Sequence, residues 1–145
     1  MATVILPERL ESKLRAKAEA TGYLQTLRKF DQNASQELSE KYLAEAKELL
    51  SKGDLVQASE KLWGASALAV KRIGAEKGLK LEEHGGLWSF VNLLAMQSGD
   101  KDLTTLFHVA NSLHRNFYED EMKRETVEIA AKNIEQLITK LMRFS

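Results

Sequence analysis

The chain has 145 residues, with 21 basic and 21 acidic side chains, three histidines and no cysteine. A zero formal net charge leaves no overall field to gather nucleic acid or an anionic membrane. The absence of cysteine excludes a disulfide framework, a thiolate nucleophile and a zinc ribbon, and His84, His108 and His114 are scant material for a metal site.

Neither a metal nor a cofactor is expected. The length suits one domain, which at this size buries roughly 68 to 70% of the surface of its unfolded chain. No apolar run reaches the 18 or so residues of a membrane span, and MATVILPERL lacks the basic-then-apolar order of a signal peptide. A cytoplasmic protein without membrane contact is the expectation. Charge is uneven along the chain: residues 1–30 hold six basic side chains against three acids, and residues 81–145 hold seven against ten.

In chain order, TVIL is the one stretch with strand character. Pro7 then opens a first helix with Leu6, Leu10, Leu14 and Ala18 at helical spacing, and Gly22 stops it. A second helix is predicted after Asn33 or Ser35, with Leu38, Tyr42, Ala46 and Leu49 on one face. Gly53 ends it, and Asp54 caps the next helix with Gln57 in the capping-box position. The third helix, DLVQASEKLWGASALAVKRIGAEKG, has apolar residues spread well beyond one surface stripe and small residues at Ser59, Gly64, Ala65, Ser66 and Ala69, which predicts a buried central helix. LKLEEHGG reads as a loop, followed by a short apolar helix, LWSFVNLLAMQS, that Gly99 ends. Asp100 or Asp102 caps a helix through LTTLFHVANSLHRNFYE, and a last amphipathic helix spans about residues 120–143 with Val127, Ala130, Ile134, Leu137 and Leu141 inward.

The segment SLHRNFYED, residues 112–120, gathers most of the chemistry. At 100° per residue, Leu103, Leu106, Phe107, Ala110, Leu113 and Phe117 form the buried face, and His114 falls beside the Leu103 and Phe107 line. The ordinary reading of His114 is a near-core imidazole with a hydrogen-bond partner. His108, Ser112, Arg115 and Glu119 lie opposite, where Arg115 and Glu119 pair at i, i+4. Asn116 and Asp120 form a third line. A functional reading makes His108 a base and Arg115 a phosphate clamp. His84, among two acids and two glycines, His114 and Tyr118 are secondary candidates. Trp63 and Trp88 are simpler as core than as base-stacking surfaces. Phosphate-loop, dinucleotide-loop, zinc-protease and nucleophile-elbow motifs are missing.

YLAEAKELLSKGDLVQASEKLWGASALAVKRIG, EEHGG and LHRNFYED together resemble the archaeal PaREP family of small helical proteins, over residues 42 to about 142. That family resembles the HEPN superfamily of helical bundles, whose members often dimerise and include RNases and nucleotide-binding partners of nucleotidyltransferases. The HEPN nuclease signature is an arginine followed by a polar residue, with a histidine five to seven positions after the arginine. Arg115 and Asn116 match its opening, but positions 120–122 are Asp, Glu and Met. Residues 3–22 also resemble the start of a ribbon-helix-helix antitoxin, although that strand offers no Arg, Lys, Gln or Asn to read base edges. Specific DNA binding is therefore not expected.

The resemblance and the residues together imply an all-α, HEPN-like antiparallel bundle of five to six helices. Residues 1–34 would form a dimerisation arm with Tyr23, Leu24, Leu27 and Phe30 as its apolar contacts, and residues 35–145 the bundle. The expected function is a non-catalytic, homodimeric interaction or ligand-binding module that takes nucleotide or RNA on His108, Arg115, Asn116 and Glu119. The alternatives are a metal-independent RNase using the same surface across a dimer interface and a DNA-binding regulator acting through the arm.

Overall fold

The computed structural model describes the backbone of residues 28–81 and 84–144, and the side chains of residues 36–81 and 85–144. The expected strand, first helix and arm contacts, and with them the ribbon-helix-helix resemblance, lie outside the described residues. Among the described residues five α-helices follow one another: α1 (Arg28–Ser51), α2 (Leu55–Glu76), α3 (His84–Ser98), α4 (Asp102–Glu119) and α5 (Arg124–Leu141), with a 3-10 turn at Met142–Phe144. The fold is an all-α bundle, and no helix among the described residues is long and apolar enough to cross a membrane. The helix α1 is already formed at Arg28, ahead of the start expected after Asn33 or Ser35.

The α1–α2 hairpin closes as its residues predict. Gly53 takes φ +81°, its N–H donates to Leu50 O at 3.0 Å, and the Asp54 N–H reaches back to Leu49 O at 2.9 Å. This left-handed turn satisfies carbonyls that the helix end would otherwise leave open. Asp54 then accepts the Gln57 N–H at 3.1 Å, which starts α2.

The central position of α2 follows from its composition. Leu62, Val70 and Ile73 are wholly buried, and α2 packs against all four other helices. Small side chains make that density feasible: a Cβ on Gly64 would stand 2.9 Å from Cδ2 of Tyr42, closer than real contacts allow. The hydroxyls of Ser59 and Ser66 return to carbonyls one turn back, at Leu55 and Leu62, so neither is left unpaired among apolar neighbours. Ser39 donates to Ala65 O at 2.8 Å and ties α1 to α2. Lys61 also links these helices, donating to Glu45 at 2.8 Å with its ammonium 4.3 Å from the Tyr42 ring centre. That bond holds the Glu45 carboxyl below its usual range and raises the Lys61 ammonium.

Two boundaries differ from expectation. The helix α3 begins at His84 and includes Gly85 and Gly86, where a loop is predicted. First-turn N–H groups have no partner within a helix, so weak helix formers cost less there than in the interior. The helix α5 begins at Arg124 because Asp120 adopts a left-handed conformation, φ 47° and ψ 50°, that breaks the chain from α4. Its expected inward residues are all buried, joined by Ala131.

Asp100 connects the α3–α4 turn to α5. Its carboxylate accepts the Asp102 N–H at 3.2 Å and pairs with Lys140 at 2.7 Å. The bond from Lys140, more than any other influence, holds the Asp100 carboxyl below its usual range. The folded protein therefore binds a proton at Asp100 less readily than the unfolded chain. The stability from this pair is complete above the ordinary aspartate value of roughly 4 and is lost as pH falls through the depressed folded value. Asp100→Asn should cost about 1 kcal/mol at neutral pH and flatten the acid limb of a urea-unfolding pH profile. An unchanged profile would show that the pair contributes nothing.

Candidate functional site

The helix α4 carries the candidate residues on two sides, and its C-terminal end builds a cleft between them and the following loop. The turn at Asp120 brings its N–H back to Asn116 O at 2.9 Å. The side-chain oxygen of Asn116 accepts the next two backbone N–H groups, from Glu121 and Met122, each at 2.8 Å. Its amide donates to Ser59 Oγ at 3.0 Å, across to α2. Asn116 is only 2% exposed. A side chain expected on the binding surface thus staples α4, α2 and the α4–α5 turn together, while Phe117, expected to be buried, is half-exposed.

Arg115 and Glu119 form the expected i, i+4 pair, Nη2 to Oε1 at 3.3 Å, with both side chains in solvent. With Ser112, Asn116, Glu121 and Met122 they line an open cleft of about 200 Å³. Glu119 and Glu121 outnumber Arg115 in its wall, so the cleft suits one anionic group better than a chain of them.

His108 does not line this cleft. Seven residues before Arg115 on the same helix, it stands about 10.5 Å away along the axis. Its ring packs on Trp88 of α3 at 4.5 Å between centres, and Trp88 meets Phe107 edge-on at 4.7 Å. One turn away, Thr104 donates to Asn92 at 3.4 Å. These pairings run 88 with 108 and 92 with 104, the register of two antiparallel helices. They make Trp88 part of the surface around His108. Sequence reasoning assigned Trp88 to the core, and nothing local to residue 88 indicates its neighbour on α4.

On the other side of α4, His114 packs against Trp63 at 5.1 Å and meets Tyr118 edge-on at 5.4 Å. Its Nδ1 lies 3.0 Å from Glu60 Oε2 on α2. A carboxylate only accepts, so Nδ1 donates and the ring is held in one orientation. Half-burial with a polar partner matches the ordinary reading of this histidine. Glu60, 54 residues away in sequence, was not singled out because no spacing rule links it to His114. Tyr118 stands out into solvent at 73% exposure. His84 is the first residue of α3, and its side chain lies outside the described residues.

The arrangement defines a class: an all-α bundle in which α4 presents a polar surface and a cleft on one side and an acid–imidazole pair on the other. The chain belongs to the archaeal PaREP1/PaREP8 family, whose model matches residues 34–138. It is similar to a Sulfolobus solfataricus protein of known crystal structure, with 28% identity and a TM-score of 0.66 over 74% of this chain and 95% of that one. No curated protein matches the chain.

Proposed function

We propose that the protein is a non-catalytic, HEPN-like helical module that acts as a cytoplasmic homodimer and binds a nucleotide or a short stretch of RNA on the outer face of α4. The observation that carries this reading is the engagement of Asn116. Of the two residues that match the opening of the nuclease signature, this one is buried and bonded to Ser59, Glu121 and Met122. Arg115 remains at the surface as a fork for one phosphate. The Trp88–His108 stack offers a flat face for a base, at a separation from Arg115 of about 10.5 Å along the helix that a mononucleotide's extended length or one RNA step can bridge.

The test is fluorescence anisotropy with labelled nucleotides and short single-stranded RNA. Loss of one charged hydrogen bond predicts a roughly tenfold or greater weakening in Arg115→Ala, with unfolding unchanged. His108→Ala should weaken the same ligand. Contact with a single phosphate predicts a shallow salt dependence, a log–log slope of about −0.7. Wild-type affinity of both variants for every probe would remove this surface from consideration.

The Glu60–His114 pair favours a second reading, a metal-independent RNase assembled across the dimer interface, in which His114 of one copy supplies to Arg115 of the other the base that residues 120–122 lack. Cleavage of single-stranded RNA by metal-stripped protein, lost in both Arg115→Ala and Glu60→Gln, would replace the first reading with this one. Sedimentation of the same samples tests the dimer.

A further inference from the structure

Arg72, on α2, is the one buried charged residue among the described side chains, at 5% exposure. Its polar partner there is Glu76, with Nη1 to Oε1 at 3.3 Å. A guanidinium has five N–H donors arranged as a fork, and one long bond to a neighbouring carboxylate uses little of that capacity. Burial of a charge so sparsely bonded is costly unless a further acceptor arrives. No buried side-chain nitrogen or oxygen among the described residues is both sealed from solvent and without a partner. The remaining nitrogens of Arg72 therefore keep an opening, and the side chain lines a cavity where α1, α2 and the end of α5 meet.

The apolar wall of that cavity is Ala69, Ile138 and Met142. Ser39 also lines it, but the Ser39 hydroxyl proton is committed to Ala65 O. The volume is about 40 Å³. At roughly 10 to 15 Å³ for each water-sized atom, it holds about three or four heavy atoms. Glu40 at the rim and Glu76 beside the guanidinium add negative charge, which disfavours a dianion.

We propose that this cavity is a binding site for a small monocarboxylate of acetate size, its two oxygens on the Arg72 fork and its methyl group against Ala69, Ile138 and Met142. Size and charge separate it from the α4 surface, because a nucleotide is too large and too highly charged to enter.

The test follows the Arg72 Nε–H resonance by NMR while acetate, inorganic phosphate or chloride is added at constant ionic strength. Acetate should give a saturable shift and raise the unfolding temperature, whereas phosphate and chloride should do neither. Arg72→Lys keeps the charge but loses the fork, and Ala69→Val narrows the cavity while leaving the Arg72–Glu76 pair intact. Each should weaken carboxylate binding by about tenfold or more, read for Arg72→Lys from the unfolding temperature. If Arg72→Lys does not fold, Ala69→Val decides alone. The assignment fails if acetate does not move the resonance at concentrations up to about 100 mM, a range that covers very weak binding. It fails equally if phosphate and chloride shift the resonance as much, or if Ala69→Val binds as the wild type does.

Discussion

Asn116→Leu is expected to lower stability by about 2–4 kcal/mol, the range for leaving several buried or part-buried polar groups without partners. Leucine has the branching and heavy-atom count of asparagine, so no cavity is left and the loss reports chiefly bonding. Ser59 keeps its donated bond to Leu55 O and suffers least. The N–H groups of Glu121 and Met122 suffer most, because the carboxamide oxygen that both use disappears. Asn116→Asp is the informative companion. It keeps that acceptor but turns the second carboxylate oxygen toward Ser59, whose proton is already given to Leu55, so that oxygen is buried without a donor. Urea unfolding of both variants gives the comparison. A cost below about 1 kcal/mol for Asn116→Leu would mean that water replaces the staple and that Asn116 is not held in place by it.

The second large effect belongs to Phe107. It is wholly buried, meets Trp88 edge-on at 4.7 Å and lies 5.7 Å from Trp63. Truncation to alanine should cost about 3–5 kcal/mol, from lost transfer free energy, the cavity left behind and two ring contacts. Phe107→Leu fills most of that space and should cost less. The consequence reaches function, because Phe107 backs the tryptophan on which His108 rests. A Phe107→Ala protein that still folds should bind the ligand of the α4 surface less well, although Phe107 lies beneath that surface. Unfolding curves and tryptophan emission measure the first effect, and the anisotropy assay the second. Full affinity in a destabilised Phe107→Ala protein would show that Trp88 takes no part in binding.

Helical periodicity carried a good part of the fold. The inward residues of α5, from Val127 to Leu141, repeat at three- and four-residue intervals, and each is buried. The Gly53–Asp54 turn, the central place of α2 and the Arg115–Glu119 pair are equally local, since all their determinants lie within a few positions of one another. Glycine at positions 85 and 86 misplaced the start of α3 because glycine disfavours helix interiors more than first turns.

The candidate site was legible only in part. Arg115 and Glu119 could be placed by counting residues around a helix, and His114 could be set at the edge of the core in the same way. Neither the partner of His114 nor the burial of Asn116 follows from counting, because Glu60 and Ser59 stand 54 and 57 residues away. The resting place of His108 on Trp88 depends on the antiparallel register of α3 and α4. Spacing along one helix reveals which residues share a face, since 3.6 residues per turn is a property of the backbone. Which polar groups meet across helices depends on how those helices pack. That packing turned an asparagine of the apparent surface into a buried staple and left an arginine of α2 beside a cavity.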